Sequence, residues 1–305
     1  MQHFISIKDL SLKEIEDIFK LTAQLKHNQN KFKDVLKAKT LGLIFQKPSN
    51  RTRVSFEVGV YQLGGNSIYL APNEINLGVR ESVKDVAKTL SRYLCAVVLR
   101  TFSHNDILEF VRHSTIPVIN GLSDLSHPCQ ALSDIYTIKE KLHTFKNKTL
   151  AFIGDGNNVC HSLIYACSKV GLNLAIATPK NYAPDKFIIK DGFALFKKTK
   201  ANLFIVNDPV LAAKNADIIY TDVWASMGQE KESKIRNKVF KNFRINTKLM
   251  HQAKPHCLFM HCLPAHRGLE VTDDVMDSKN SIVFDQAENR LHVQKAILIK
   301  LLNNV

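Results

Sequence analysis

A dense group of cationic and hydroxyl side chains follows the first strongly apolar segment of the chain. In the stretch FQKPSNRTRVSFEVG, the turn between that segment and a helical pattern contains Lys47, Ser49, Arg51 and Thr52. A helix N-terminus presents unpaired backbone N–H groups and the positive end of the helix dipole, which suits an anion. A guanidinium adds a fork of donors for phosphate oxygens. The stretch therefore predicts a phosphate-binding turn, with a solvated basic helix start as the alternative.

Neither glycine-containing nucleotide pattern fits the chain. The GxxxxGK[ST] loop cradles phosphates with a glycine-rich backbone, whereas no glycine occurs between Phe45 and Phe56. A second turn, GDGNNV, has Val159 where GxGxxG requires its third glycine. A dinucleotide-dependent oxidoreductase is therefore only an alternative interpretation.

Polar side chains also stand at the ends of other predicted strands or the starts of helices. In open parallel sheets, ligands bind beyond the carboxyl ends of the strands, so these side chains are candidates for one site. Each also has a structural explanation, such as helix capping for His127 or Asp222 and burial of the thiol for Cys262. The candidates are Arg100, His127, Gln130, Asp155, Asn157, Asn158, Asp222, Ser226, Met227, His261, Cys262 and Arg290.

The elements that would position these residues alternate between short apolar runs and helical patterns. This alternation is typical of parallel sheets covered by helices. The candidate strands are TLGLIF, SIYLA, CAVVLRTF and IPVIN, then KTLAFIGDG, NLAIATP, ANLFIVND, ADIIYTDVW and CLFMHCLP. We therefore predict an α/β fold with two domains, each a parallel sheet flanked by helices, joined by interdomain helices.

The length of 305 residues suits two domains. A long helical pattern, residues 127–143, precedes a new strand that starts near Lys146. We therefore assign residues 1–145 to the first domain and 146–285 to the second, and expect the C-terminal helix, residues 286–305, to pack back on the first. Ser11 and Glu14 predict a capping box at the first helix, and the pattern ENRLHVQKAILIKLLNN predicts a last helix opened by Arg290.

The composition is that of a globular protein with a large positive net charge. The formal net charge of +14 could attract nucleic acid, an anionic membrane surface or an anionic small substrate. The lysines are scattered, which is typical of solvated faces, so a nucleic-acid-binding module is an alternative supported by charge alone. Six cysteines without a CxxC pair, no leader-like start and no run of 18 apolar residues predict a cytoplasmic protein with no membrane partner.

Four motifs, taken together, resemble the ornithine carbamoyltransferases. FQKPSNRTR, HPCQ, DVWASMGQE and HCLP occur in the order and at the spacings of that family, across essentially the whole chain. The first two are shared with aspartate carbamoyltransferases and indicate carbamoyl phosphate. SMG and HCLP resemble the ornithine branch. HCLP disfavours aspartate as the acceptor, and DVWASMG, with Asp222 available for a free α-ammonium, disfavours putrescine or acylated ornithine. Asn50 departs from the pattern, because the family usually has Thr or Gly there.

The resemblance implies an activity and an assembly. The enzyme would transfer the carbamoyl group of carbamoyl phosphate to the δ-amine of L-ornithine, giving citrulline and phosphate, in arginine biosynthesis or in the reverse, catabolic direction. Carbamoyl phosphate would bind the first domain and ornithine the second, in a homotrimer with sites near subunit boundaries. No cofactor and no metal would be required.

The resemblance also implies the roles of individual residues. Cys262, Arg100 and His127 would be catalytic, with either Cys262 or the phosphate taking the δ-amine proton. Asn76 stands where some members have a ligand-contacting Gln and is left out of the site. The ornithine set would be Asn158, Asp222, Ser226 and Met227. The carbamoyl phosphate set would be Ser49, Asn50, Arg51, Thr52, Arg100, His127, Gln130, Cys262, Leu263 and Arg290.

Overall fold

Two compact units make up the protein in the computed structural model, which describes residues 1–226 and 228–303. Unit 1 combines Met1–Tyr136 with Glu288–Val305, and unit 2 is Thr137–Ala287. The chain passes from one unit to the other inside two helices, between residues 136 and 137 and between 287 and 288. The boundaries expected from the sequence, after residues 145 and 285, lie nine and two residues away from them respectively, and the domain assignment stays a prediction.

Unit 1 is built on a four-stranded parallel sheet in the order β2-β1-β3-β4. Its strands are Thr40–Phe45 (β1), Asn66–Leu70 (β2), Ala96–Arg100 (β3) and Val118–Leu122 (β4). The two central strands, β1 and β3, are almost entirely apolar and buried, as parallel strands covered on both faces must be. The first six helices are Leu12–His27 (α1), Asn50–Gln62 (α2), Pro72–Ile75 (α3), Val83–Leu90 (α4), His104–His113 (α5) and Pro128–Leu142 (α6).

The predicted capping box at the start of α1 is confirmed. The Ser11 hydroxyl accepts the N–H of Glu14 at 3.2 Å, and the Glu14 carboxylate accepts the N–H of Ser11 at 2.8 Å. Two N–H groups that the helix leaves unsatisfied are thus paired reciprocally. The apolar positions Ile15, Ile18 and Leu25 are buried, which anchors α1 in unit 1.

Unit 2 is built on a five-stranded parallel sheet in the order β7-β6-β5-β8-β9. Its strands are Thr149–Ile153 (β5), Asn173–Ala177 (β6), Leu203–Val206 (β7), Ile218–Thr221 (β8) and Leu258–His261 (β9). The remaining helices are Asn158–Val170 (α7), Lys186–Thr199 (α8), Pro209–Ala213 (α9), Ser233–Val239 (α10), Thr247–Met250 (α11), Asp273–Met276 (α12) and Val283–Leu302 (α13). Across the described residues, no helix combines the length and apolar character that crossing a bilayer requires.

The strand order gives each sheet one point at which the winding direction reverses. In unit 1 this point lies between β1 and β3, and in unit 2 between β5 and β8. Loops that follow such strand pairs diverge and leave a crevice, where open α/β sheets bind ligands. All nine predicted strands are present and both sheets are parallel, so the predicted fold class is confirmed.

The last helix begins earlier than the sequence pattern predicted. Helix α13 starts at Val283, so Arg290 lies about two turns inside it and does not open it. That part of the prediction is wrong, because no glycine or proline interrupts residues 283–289 and the helical conformation extends through them. The shift places Arg290 on a regular, internally hydrogen-bonded segment.

A buried lysine joins α13 to α2 within unit 1. Lys295 is 1% exposed, and its Nζ donates to the Gln62 Oε1 atom at 2.8 Å. A Cβ atom at Gly59 would lie only 3.3 Å from the Lys295 Cγ atom, so glycine leaves room for the lysine stem between the helices. Burial lowers the pKa of Lys295 from its ordinary 10.5 to about 8.

We expect this lysine to make the free energy of unfolding depend on pH in the alkaline range. Because the unfolded chain keeps the Lys295 proton up to pH 10.5 while the native protein releases it near pH 8, stability rises with pH across that window. Lys295→Met should remove about 3 kcal/mol of that rise, measured by urea unfolding at a series of pH values. The exposed control Lys198→Met should keep the wild-type pH dependence; equal curves for wild type and Lys295→Met would contradict the expectation.

Candidate functional site

The predicted phosphate turn is the N-terminal turn of α2 in unit 1. The Ser49 Oγ atom caps the helix by accepting the N–H of Thr52 at 3.3 Å. Asn50 and Arg51 occupy the first turn, where backbone N–H groups and the helix dipole favour an anion. Asn50 is exposed, Ser49 and Arg51 are half-buried and Thr52 is buried. The four residues therefore form one contiguous donor surface.

Further donors of unit 1 converge from β3, α6 and α13. Arg100 ends β3 and is 5% exposed, and His127 and Gln130 are buried at the start of α6. Arg290 brings α13 to the same place, since its Nη2 atom donates to Thr52 Oγ1 at 3.2 Å and its Nη1 atom donates to Gln130 Oε1. The structure thus groups the unit 1 members of the predicted carbamoyl phosphate set.

Burial and mutual repulsion shape the ionisation of this group. Burial first, and then the charges of Arg290 and Arg51, lower the pKa of Arg100 to about 10. The pKa of His127 lies well below its ordinary value because the ring is buried and Arg290, Arg100 and Arg51 all oppose a further positive charge. His127 is therefore a neutral imidazole among three guanidinium groups at neutral pH.

Two more features of unit 1 fit an anion site. The Nε atom of Arg100 is buried and makes no hydrogen bond in the structure, so it presents an unsatisfied donor. Lys47 is also buried, and its Nζ atom lies 4.4 Å from the centroid of the Phe102 ring. A bound polyanion would neutralise the excess positive charge and accept a hydrogen bond from the unsatisfied buried donor.

In unit 2 the side chain of Asp222 is held from three sides. Its Oδ2 atom accepts from the side-chain amide of Asn157 at 2.7 Å. Its Oδ1 atom accepts from the Cys262 thiol at 2.9 Å and from the N–H of Val223 at 2.8 Å. These contacts bring together the ends of β5, β8 and β9. They leave a buried, oriented carboxylate at the point where the winding of the sheet reverses.

Leu263 has a left-handed backbone conformation, with φ of 58°, directly after Cys262. Its N–H donates to His261 Nδ1 at 2.8 Å, so the proton of that neutral ring lies on Nε2, which faces Glu270 at 3.3 Å. Ligand atoms of Asp222, His261 and Cys262 lie within 4.8 Å of one another, a spacing that a metal ion could use. Both His261 nitrogens are already hydrogen-bonded, so we assign no metal to this cluster.

The other predicted ornithine residues border the same region of unit 2. Asn158 is the first residue of α7 and is half-buried. Ser226 follows β8, is half-buried, and donates its N–H to Gln229 Oε1 at 3.0 Å. Met227 lies outside the described residues, so its predicted role has no structural counterpart here. Cys262 and Leu263, assigned from the sequence to carbamoyl phosphate, belong to unit 2, where the Cys262 thiol contacts Asp222.

Two side-chain contacts near Asp222 and Asp155 were not predicted from the sequence. Asn157 was one of the candidate polar residues but was given no role, although it caps α7 and orients Asp222. Arg236 was not considered, because it lies in a lysine-rich run that reads as a solvated helix. Its side chain is buried and donates to Asp155 at 3.0 Å and to the Trp224 carbonyl at 2.9 Å. Burial is the largest influence on Asp155 and raises its pKa to about 6, although Arg236 opposes that shift.

The second glycine of GDGNN, Gly156, serves packing. A Cβ atom at Gly156 would lie 2.3 Å from the Pro184 nitrogen and 2.6 Å from the Tyr182 carbonyl oxygen. Glycine is therefore needed for the close approach of two backbone segments. With this local explanation, the turn offers no support for the dinucleotide alternative.

Comparison with known proteins matches both halves of the chain to one family. Residues 2–140 match the model of the carbamoyl-P binding domain of aspartate/ornithine carbamoyltransferase, and residues 146–301 match the Asp/Orn binding domain. Ornithine carbamoyltransferases of Thermococcus kodakarensis and Archaeoglobus fulgidus are 49% and 51% identical, over 99% of this chain and 96% and 98% of theirs.

Solved structures match the chain over the same full length. The ornithine carbamoyltransferase of Pyrococcus furiosus is 48% identical and superposes with a TM-score of 0.97, covering 100% of this chain and 98% of that one. The anabolic ornithine carbamoyltransferase of Campylobacter jejuni subsp. jejuni is 38% identical, with a TM-score of 0.94 and full coverage of both chains. Similarity of this extent spans every element that carries the candidate residues. The chain belongs to the aspartate/ornithine carbamoyltransferase family.

Proposed function

We propose that the protein transfers the carbamoyl group of carbamoyl phosphate to the δ-amine of L-ornithine, producing L-citrulline and phosphate. The observation that carries this proposal is the full-length similarity to ornithine carbamoyltransferases, with Asp222 and Cys262 paired in the second half. Relatives named anabolic favour the biosynthetic direction, toward arginine. The reaction requires no cofactor.

In unit 1, the proposed substrate is carbamoyl phosphate. Ser49, Asn50, Arg51 and Thr52 would hold the phosphate, which is also the leaving group, so that its charge is neutralised before and after transfer. Arg100 and the neutral His127 would donate to the carbonyl oxygen, which gains negative charge when the amine attacks. A neutral imidazole can donate there without adding a fourth positive charge to the site.

In unit 2, the proposed substrate is ornithine. Asp222 would pair with the α-ammonium, Asn158 would donate to the α-carboxylate, and Ser226 would border the amino-acid head group. Cys262 and the Leu263 carbonyl would orient the δ-amine. The δ-amine must lose a proton to become a nucleophile, and both Cys262 and the departing phosphate are chemically suitable acceptors.

A second copy of the chain is the proposed partner, in a cytoplasmic homotrimer. One side of α2 exposes three apolar residues at helical spacing, with Val54 47%, Val58 37% and Tyr61 80% accessible. An apolar stripe of this kind on a stable helix is typical of a subunit interface. All six cysteines lie in the described ranges and none forms a disulfide, consistent with a reducing compartment.

The activity test is citrulline formation with competing acceptors. Purified protein should convert carbamoyl phosphate and ornithine to citrulline, and it should leave aspartate and putrescine largely unreacted. Preferred use of either competitor would contradict the acceptor assignment. Salt-dependent retention on heparin without citrulline formation would favour the nucleic-acid alternative instead.

Arg51→Ala should abolish tight binding of carbamoyl phosphate. The change removes a charge-assisted fork whose hydrogen bonds contribute about 1.5 to 3 kcal/mol each. Calorimetric titration of the folded variant measures the loss, and Arg112→Ala, an exposed arginine on α5, is the control. Wild-type affinity in Arg51→Ala would overturn the phosphate turn.

Asp222→Asn should weaken ornithine selectively. It keeps the shape of the side chain and removes the charge that pairs with the α-ammonium, a loss of about 2 to 5 kcal/mol for a desolvated pair. Putrescine lacks the α groups and should lose much less kcat/KM, while carbamoyl phosphate binding should change little. Equal proportional losses for both amines would show that Asp222 serves the shared chemistry and not α-ammonium recognition.

Tyr61→Glu should shift the protein from trimer to monomer in sedimentation velocity. The substitution puts a charge into the apolar stripe, where it would have to be desolvated on association. Tyr93→Glu, at another exposed aromatic position of unit 1, is the matched control. A wild-type protein that sediments as a monomer would exclude the proposed assembly.

A further inference from the structure

The anion site of unit 1 poses a problem before any anion is bound. Arg51, Arg100 and Arg290 lie close enough to lower the pKa of their neighbours, so they repel one another. Arg51 in the first turn of α2 and Arg100 at the end of β3 both adjoin loops that repulsion would push apart. A site that binds tightly needs these groups at their final spacing in advance, because reorganisation on binding reduces affinity.

A series of neutral hydrogen bonds connects the loops that follow β1, β3 and β4. The Gln46 N–H donates to the Arg100 carbonyl at 2.7 Å, and Gln46 Oε1 accepts the N–H of Phe102 at 2.9 Å. The Phe102 carbonyl in turn accepts the N–H of Asp124 at 3.0 Å. The loop after β1, which leads into the phosphate turn, is thereby tied to the loops that follow Arg100 and precede His127.

His104 adds two further hydrogen bonds between the loops that follow β3 and β4. Its N–H donates to Asp124 Oδ1 at 2.9 Å, and its Nδ1 atom is hydrogen-bonded to Ser123 Oγ at 2.8 Å. The Ser123 hydroxyl also accepts the N–H of Ser126 at 3.2 Å, and Ser126 directly precedes His127. Burial lowers the pKa of His104, although Asp124 and Asp9 oppose that shift.

We propose that Gln46 and His104 are positioning residues: they hold the loops that adjoin Arg51, Arg100 and His127 at fixed spacing against the repulsion of the cationic groups. The inference rests on the proposed carbamoyl phosphate site and assigns a role to residues that do not themselves supply charge to the ligand. The loops are connected side by side along the carboxyl edge of one sheet, so loosening one contact displaces the donors collectively.

The direct test uses inorganic phosphate as the probe and the full chain as the protein. His104→Ala should raise the phosphate dissociation constant about tenfold, the size expected from the loss of one partly buried hydrogen bond and the displacement it permits. His104→Asn places an amide where Nδ1 stood and should restore affinity to within about threefold of wild type. His113→Ala, at the opposite end of α5, should bind phosphate normally.

Ser123→Ala removes the same hydrogen bond from the other side. If the bond carries the effect, the His104→Ala/Ser123→Ala double variant should bind phosphate no more weakly than the weaker single variant. The Ser123→Ala single variant, which keeps His104, leaves the proposal testable where His104→Ala does not fold. Additive losses, or wild-type phosphate affinity in either single variant, would overturn it.

Kinetics separate positioning from general destabilisation. His104→Ala should raise the KM for carbamoyl phosphate while leaving the KM for ornithine within about twofold of wild type, whereas loss of folded protein would lower the apparent kcat alone. Equal rises in both KM values would contradict the proposal. Phosphate titration requires no turnover, so absent citrulline formation would overturn the proposed function without touching this test. A wild type that binds no phosphate would overturn the anion site and this inference together.

Discussion

The concentration of like charge at the carboxyl edge of the first sheet is the constraint around which unit 1 is organised. Three guanidinium groups approach one another in a buried setting that lowers the pKa of Arg100 to about 10. The repulsion within such a cluster opposes folding, so the rest of the unit has to supply the stability. The apolar central strands, the capped helices and the packing of α13 against α2 do so. A dianionic ligand then finds donors already desolvated and oriented.

Unit 2 presents a group of the opposite charge, the carboxylate of Asp222. Asp222 is surrounded by neutral donors, the Asn157 amide, the Cys262 thiol and a backbone N–H, which orient the carboxylate without neutralising it. A cationic head group can therefore still be attracted to it. Each unit thus places charged groups beyond the carboxyl edge of a parallel sheet, and their opposite signs suit the phosphate and the ammonium group of the two proposed substrates.

Much of this arrangement was predictable from local sequence, and the remainder depends on tertiary contacts. The strands were predictable because long apolar runs and turn residues mark them, and the phosphate turn because a strand, a basic turn and a helix follow one another directly. The partners of Asp222 were not, since Asn157 and Cys262 reach it from 65 and 40 residues away. Arg236 shows the same limit: its sequence surroundings are those of an exposed helix, and only the fold buries its guanidinium. The start of α13 was predicted too late. No glycine or proline separates residues 283–289 from the rest of the helix, so the local sequence does not mark where the helix begins.

The long sequence separation between Arg290 and Thr52 bears on the order in which the two units can fold. The hydrogen bond from Arg290 to Thr52 spans 238 residues, and unit 1 needs the segment from Glu288 onward, whereas unit 2 is continuous. Domains generally fold as units while the chain emerges from the ribosome, N-terminal parts first. Here unit 2 is one uninterrupted segment, whereas unit 1 stays incomplete until the segment from Glu288 onward joins it. An N-terminal fragment that stops before α13 would therefore contain every strand of the first sheet but would lack Arg290 and its hydrogen bond to Thr52.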